Sequence, residues 1–437
     1  MKKQKSVLIL GYGVTGKACV EHFISKKYRV FVYAKEIEQI DGCEMISSIE
    51  DVLKNQIKLC ITSPGINLKK DLFCLHLKRF GIQVVTELEY SLKNIKATTI
   101  AVTGTNGKST TATLIYEMLK QKYPCVLAGN IGTPLISQIN SISRKTKVVL
   151  EVSSFMLENM NDFCFDVSCL LNLTPDHENW HGGVEDYYQA KLKVFLGQTK
   201  KQVAVLNFDD KIVFDRTRHI NSRALYFSKT ETVKGCFERA GKLCYYDENF
   251  DDIMSVKDVG LRGEKNLENI LCAVTVAKYF RVDDKTISSV VSNFKPLRHR
   301  IEFVGEKDGV LYFNDSKATN ISSTLCALDA FEKNVILMLG GQTKNQNFDN
   351  LFKKSLNNVK LFVIYGENYE IIENSINKYK EKYNYILSEN FDEAFEKAKI
   401  NATAGDVVLL SPACASFDEF KNFEDRGDCF CEKVKQI

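Results

Sequence analysis

Residues 102–110 read Val-Thr-Gly-Thr-Asn-Gly-Lys-Ser-Thr. A nucleotide-binding P-loop asks for G-x-x-x-x-G-K-[ST], and its first glycine would stand at position 102, where the chain has Val102. The physical requirement is looser than the pattern. An anion cradle needs a strand, a glycine-rich turn whose backbone N–H groups face phosphate, and a helix whose N-terminus adds a positive dipole. All three parts are here: an apolar run at 98–102, the turn Gly104-Thr105-Asn106-Gly107, and helical sequence over 109–120. In such a cradle Lys108 reaches the outer phosphates and Ser109 or Thr110 holds Mg²⁺. The competing reading is a solvated loop with a chance G-K-S.

Outward from this turn the same alternation continues. Before it, apolar runs at 6–10, 29–33, 59–63 and 83–86 read as strands, and 17–26 and 72–80 as helices. Strands alternating with helices predict a parallel sheet, ending near Asn94. After the turn, strands are expected at 148–152, 167–173 and 203–207 and a helix at 266–280, with Pro296 marking a boundary. A third run starts near Leu297, with strands at 310–314, 334–339, 361–365 and 406–410. The chain of 437 residues fits about three domains at roughly 150 residues each. The expected division is 1–93, 94–297 and 298–437, α/β throughout, without internal repeats.

Composition narrows the class. The chain is 44% hydrophobic and 26% charged, the balance of a soluble globular protein. A net charge of +4, with no basic tract interleaved with aromatics, argues against nucleic acid. The 14 cysteines have no regular spacing, and several sit in apolar runs, such as Cys60 and Cys272. They read as small buried hydrophobes in a reduced compartment, not as a zinc site. The apolar run before Gly11 is too short for a signal peptide, and no stretch approaches the ~18 apolar residues of a membrane span. A cytoplasmic protein with no membrane insertion is expected.

A second glycine-rich turn, Gly11-Tyr12-Gly13-Val14-Thr15-Gly16, follows the first strand and fits G-x-G-x-x-G. A dinucleotide site also wants an acidic residue ending the second strand; here Ala34-Lys35 stands there and Glu36 follows one residue late. NAD(P), another phosphate ligand and a merely tight turn all remain open. Glu151 ends a hydrophobic strand beside the cradle, a place for coordinating Mg²⁺, although a surface Glu is the commoner case. His177, after Asp176 at another strand end, is a metal ligand or half of a turn-stabilising Asp-His pair. Lys191 and Lys193 lie in a helix where a lysine usually faces solvent, and Asn266 reads as a helix cap.

The form T-G-T-N-G-K-S-T resembles the loop of the Mur ligases and the related folylpolyglutamate synthetases. Other stretches are similar to that family in order: Glu151-Val152-Ser153-Ser154-Phe155, Asn172-Leu173-Thr174-Pro175-Asp176-His177, Gly263-Glu264-Lys265-Asn266-Leu267-Glu268-Asn269 and Leu297-Arg298-His299-Arg300-Ile301-Glu302. Asp315-Ser316-Lys317-Ala318-Thr319-Asn320 has the form typical of the family's D-glutamate-adding branch. Gly340-Gly341-Gln342-Thr343-Lys344, Ser411-Pro412-Ala413-Cys414-Ala415-Ser416 and the segment to Gly427 complete the likeness. The chain departs from the pattern at Met156, where Gln is usual, at Trp180 and His181, at Lys265, where His is usual, and at Lys35-Glu36, where an aspartate is expected near uracil.

The resemblance implies a Rossmann-like N-terminal domain, a central P-loop ATPase-like domain and a Rossmann-like C-terminal domain that close on a hinge. It implies a monomeric ATP-dependent amide ligase that joins D-glutamate to UDP-N-acetylmuramoyl-L-alanine through an acyl phosphate, in peptidoglycan precursor synthesis. ATP would be held by Gly104, Thr105, Asn106, Gly107, Lys108, Ser109 and Thr110, with Asn266 and Asn269 at the adenine, Arg300 at the γ-phosphate and Asp315 orienting nucleotide and metal. Two Mg²⁺ ions would be held by Ser109, Glu151, His177 and Lys191, the last as a carbamate, with Lys193 the nearby alternative. Gly11, Gly13, Val14, Thr15, Gly16, Asn130 and Ser154 would bind the UDP substrate. Lys317, Thr319, Lys344, Ser416 and Phe423 would bind D-glutamate. The rivals are another ligase of the superfamily, an NAD-dependent oxidoreductase built on 11–16, and a non-catalytic nucleotide sensor.

Overall fold

In strand β1 (Ser6–Leu10) side chains alternate between two cores. Val7 and Ile9 pack with Ala18, Val20 and Phe23 of the helix Val14–Ser25; Leu8 and Leu10 pack with Val52, Cys74 and Leu77 on the opposite face. A sheet covered on both faces needs apolar residues at every position of its central strands, which is why residues 7–10 read as an unbroken hydrophobic run. The computed structural model describes residues 4–34, 39–261, 263–343, 346–367, 369–379 and 381–437, apart from the side chain of Asn179. β1 joins β2 (Arg29–Tyr33), β3 (Cys43–Met45), β4 (Leu59–Thr62) and β5 (Gln83–Thr86) in a parallel sheet of order β3-β2-β1-β4-β5.

The second sheet holds β6 (Thr98–Thr103), β7 (Cys125–Gly129), β8 (Lys147–Glu151), β9 (Val167–Leu170), β10 (Val203–Asn207), β11 (Arg223–Ser228), β12 (Gly235–Arg239), β13 (Lys242–Tyr246) and β14 (Phe250–Ser255). Its order is β14-β13-β12-β11-β10-β9-β6-β8-β7. β6 lies between β8 and β9, so the connections leave it in opposite directions, and the crevice at its C-terminal end is where open α/β sheets bind ligands. This sheet is not wholly parallel, as its strand–helix alternation predicts. β12–β13 and β13–β14 pair antiparallel, and Ala240 (φ 51°) and Gly241 (φ 76°) form the two-residue turn that suits a hairpin.

The third sheet contains β15 (Glu302–Lys307), β16 (Val310–Asn314), β17 (Val335–Gly340), β18 (Val359–Tyr365), β19 (Tyr385–Leu387) and β20 (Val407–Ala413), in order β15-β16-β20-β17-β18-β19. β15 is an antiparallel edge, turned at Asp308 (φ 50°) and Gly309 (φ 74°). Alternation again feeds two cores: Leu337, Leu409 and Phe362 on one face, Ile336, Val408 and Val363 on the other.

The chain divides into two compact units, Met1–Asp258 with Glu268–Ser292, and Val259–Leu267 with Asn293–Ile437. The first contains the first two sheets, so the expected domains 1–93 and 94–297 fall largely within one unit. The expected strand 167–173 stops at Leu170 because residues beyond it turn to bind the glycine-rich loop. The helix Glu264–Tyr279 starts two residues before Asn266, so Asn266 lies inside the first turn and does not cap it. Among the described residues no helix is long and apolar enough to cross a membrane.

Candidate active site

The turn after β6 is a built cradle. Gly107 precedes the helix Lys108–Leu119 with φ 85°, a conformation that disfavours any side chain, and a Cβ there would lie 2.1 Å from Asn269 Oδ1. The loop is pinned from below. Asn106 N donates to Asn172 Oδ1 (2.8 Å), Asn172 Nδ2 donates back to Asn106 O (3.1 Å), and Thr105 Oγ1 accepts from Thr174 N (3.1 Å). Tyr187 O–H donates to Thr105 Oγ1 at 3.2 Å. Ser109 and Thr110 are buried at the start of the helix.

Two lysine Nζ atoms converge on one carbonyl. Lys108 Nζ donates to Gly104 O (3.0 Å) and Thr105 O (2.8 Å), and Lys191 Nζ donates to Gly104 O (2.8 Å). Lys191 is only 1% exposed, so the expectation of a solvated helix face fails, and its Nζ stands 4.7 Å from the centre of the Tyr187 ring. Burial, reinforced by the positive charge of Lys108, lowers its pKa well below that of an ordinary lysine, against the pull of Asp176 and Glu151. The amine is therefore biased toward its neutral, nucleophilic form. Lys193 turns elsewhere and donates to Glu158 O (2.9 Å).

Glu151, 1% exposed at the end of β8, accepts from Asn130 Nδ2 at 2.9 Å. Asn130, expected at the substrate, thus holds the carboxylate in place. His177 adopts φ 53°, with Asp176 Oδ1 accepting from its backbone N–H (2.8 Å) and its ring edge-on to Phe155. Ser154 Oγ lies 3.0 Å from His181 Nε2, and burial lowers the pKa of His181 to about 4. Met156, at the position where Gln is usual, is a core residue beside Met160 and Phe163.

Asn269, expected at the adenine, is buried behind the cradle, where Thr111 Oγ1 donates to its Oδ1 at 3.2 Å. The Gly11–Gly16 turn is shaped by close packing: a Cβ on Gly16 would lie 2.1 Å from Gly11 O. Val14 is exposed in the first turn of the following helix, beside Thr15, and Gly13 precedes that helix as its cap. A cavity of about 450 Å³ opens beside Gly11, lined also by Tyr33, Ile66, Asn67 and Lys70. Lys35 and Glu36 lie outside the described residues.

In the second unit, Asp315 follows β16 and accepts from Ser411 O–H (2.7 Å) and Ile301 N (3.2 Å); burial raises its pKa to about 7. Arg300 carries a buried Nε with no hydrogen-bond partner among the described residues. Lys317 Nζ lies 5.2 Å from the centre of the Phe423 ring, Thr319 N donates to Lys317 O (3.0 Å), and Ser416 is buried. Lys344 lies outside the described residues.

Sequence reasoning passed over the residue that joins these loops. Arg426, 1% exposed, donates through Nε to Ser316 Oγ (2.9 Å), through Nη2 to Ser316 O (2.9 Å) and Cys414 O (3.1 Å), and through Nη1 to Ala415 O (3.2 Å). It ties the Lys317 loop to the Ser416 loop. His299 also went unassigned; it packs on Gly427, where a Cβ would lie 2.2 Å from its Nδ1. Arginine and glycine side by side at the start of the helix Phe423–Gln436 are the only local signal of either role.

Among the described residues no group of three or more His, Cys, Asp or Glu could hold a metal ion. The donors beside the cradle are hydroxyls, the carboxylates of Glu151 and Asp176, and the imidazole of His177. The oxygen donors of that set fit magnesium of the kind held by one or two carboxylates together with substrate phosphates, not an all-protein cage.

The chain is similar to known proteins along its whole length. Residues 102–277 match the Mur ligase middle domain, and 299–414 match the Mur ligase glutamate ligase domain. The chain is 36% identical to the UDP-N-acetylmuramoylalanine–D-glutamate ligase of Clostridioides difficile (strain 630), over 100% of this chain and 99% of that protein. It is 38% identical to the one of Geobacillus sp. (strain WCH70), over 100% and 98%. The UDP-N-acetylmuramate–alanine ligase of Thermotoga maritima shares the fold at TM-score 0.63 and 17% identity, covering 99% of both chains. End-to-end likeness of this kind leaves no place for an oxidoreductase built on the first turn: the chain belongs to the Mur ligases, among the UDP-N-acetylmuramoylalanine–D-glutamate ligases.

Proposed function

We propose that this chain joins D-glutamate to the L-alanyl carboxylate of UDP-N-acetylmuramoyl-L-alanine with hydrolysis of ATP to ADP and phosphate, as a step of peptidoglycan precursor synthesis. The observation that carries the reading is the full-length likeness to relatives bearing that name. The donor carboxylate attacks the γ-phosphorus, giving an acyl phosphate and ADP, and the amine of D-glutamate then displaces phosphate. A free carboxylate is a poor electrophile, so its activation is the chemical need. Two anions must meet, so the site needs positive charge placed in advance.

Lys108 supports this reading because it already stands at the loop, held by Gly104 and Thr105 carbonyls that it exchanges for phosphate oxygens. Arg300 keeps a buried donor that suits the γ-phosphate, and Asp315 is assigned to orienting nucleotide and metal. Magnesium, when bound with nucleotide, supplies further positive charge at the phosphates, and Ser109, Glu151 and His177 are the residues that would hold it. The neutral bias of Lys191 suits carbamate formation, in which the amine nitrogen bonds to CO₂ carbon and releases a proton. Lys317, Thr319, Ser416, Lys344 and Phe423 are assigned to D-glutamate, whose two carboxylates suit cations and hydroxyls. The Gly11–Gly16 turn and its cavity are assigned to the UDP moiety.

The test is phosphate release from ATP and Mg²⁺ with UDP-N-acetylmuramoyl-L-alanine, offering D-glutamate, L-glutamate, L-alanine or meso-diaminopimelate. Release with D-glutamate alone is expected. Release with a different amino acid would overturn the assignment of Lys317 and Ser416; no release with any would overturn the reaction.

A further inference from the structure

The cavity beside Gly11 and the pair Glu151 and His177 lie on different sheets of the first unit, and one buried side chain ties their surroundings together. Asn159, 3% exposed, ends the short helix Ser154–Asn159. Its Nδ2 donates to Ile66 O (2.8 Å) and its Oδ1 accepts from Leu68 N (3.2 Å). An amide used in both directions pairs with the 66–68 backbone as a neighbouring strand would. Ile66, Asn67 and Lys70 of that segment line the cavity. The other end of the helix lies three residues after Glu151 and carries Ser154, which meets His181.

A second tie runs parallel. Lys70 Nζ (2.9 Å) and Asn67 Nδ2 (3.5 Å) both donate to the carbonyl of Trp180, whose own N–H donates to His177 O (3.1 Å). Lys69 adds an ion pair with Glu158. The segment 66–70 is thus held at each end to the two stretches that carry Ser154 and His177. Leu68, 3% exposed, and Ile66 seat the segment on the core of the first sheet, and these bonds fix how the stretches of the second sheet meet it.

Resting on the function proposed above, we infer that Asn159 is a positioning residue. It sets the span between the cavity that takes the nucleotide of the donor and the groups that receive the donor's reacting carboxylate. Binding energy at the distant UDP then counts toward rate only if that span is right, because a misplacement of about 1 Å at the reacting atoms can cost as much as 10²-fold.

The experiment compares wild type and Asn159→Ala on UDP-N-acetylmuramoyl-L-alanine and on N-acetylmuramoyl-L-alanine, which lacks the UDP. With the full donor kcat is expected to fall on the order of tenfold, the effect of about two backbone hydrogen bonds, with KM for donor and ATP unchanged. With the truncated donor the variant should match wild type within about twofold, since no distant anchor remains to be misplaced. Equal losses on both donors, or an unchanged kcat with the full donor, would overturn the inference. If the truncated donor turns over too slowly to measure, the kcat–KM split on the full donor decides. Asn159→Ser, milder at the same site, serves if the alanine variant does not fold. Wild type inert on the full donor would overturn the functional reading itself.

Discussion

Gly107→Ala tests the cradle where its geometry is tightest. The residue sits at φ 85° and the new Cβ would lie 2.1 Å from Asn269 Oδ1 and 3.0 Å from its Cγ. A left-handed conformation costs a side-chain-bearing residue about 1–2 kcal/mol. The clash also forces the Asn269 amide off its bond with Thr111, costing about 1 kcal/mol more. A loss of about 3 kcal/mol is expected for the single variant. In an Asn269→Ala background the obstacle is gone and only the backbone cost of about 1–2 kcal/mol remains, so the two changes should couple by about 1–2 kcal/mol. Trp180 is the only tryptophan in the chain and lies in the first unit, so urea unfolding followed by its fluorescence reads this unit alone. Additive losses, or a Gly107→Ala protein as stable as wild type, would refute the close approach of Asn269 to the turn.

Asp315→Asn should change the pH dependence of the second unit. The folded carboxyl's pKa is raised to about 7 from 3.8, so between those values the unfolded state binds fewer protons and stability falls as pH rises, the loss being complete above about 7; the variant should lack this slope, worth on the order of 2–4 kcal/mol by thermal unfolding at stepped pH. Lys191→Met replaces a buried amine by an apolar side chain of similar length, so thermal stability should hold or rise while ATP-dependent phosphate release falls by about 10²-fold or more. An active Lys191→Met protein would remove this lysine from the chemistry. Arg426→Met removes the guanidinium bonds to Ser316 O and Cys414 O and one of the two on Ala415 O, which keeps Gln342 N–H, and should cost about 2–4 kcal/mol, measured by circular dichroism in urea; a loss under about 1 kcal/mol would show that water replaces it.

Strands with a dense apolar run were legible: β1, β2, β5, β10 and β16 stand at the positions read from the sequence. The antiparallel edges were not, since half-exposed strands such as Phe250–Ser255 mix Asp and Phe without a clean period. Their turns did carry a local signal, Asp308-Gly309 above all, a pair suited to positive φ at both positions. In the site, Lys108 and Gly107 were legible from spacing alone. The burial of Lys191 was not, because it depends on Gly104, 87 residues earlier. The placement of Asn269 against the turn and of Arg426 between two loops comes from contacts across 158 and 110 residues, which no local pattern encodes.

The third sheet has a consequence for the order of synthesis. β20 pairs with β16 on one side and β17 on the other, so the middle of the sheet is the last strand to be made. Until residues 407–413 leave the ribosome, β16 and β17 cannot share a ladder, and the two cores that Leu409 and Val408 join stay open. The second unit must therefore wait, unfolded and exposed, while the first, with its cradle already closed, can be complete.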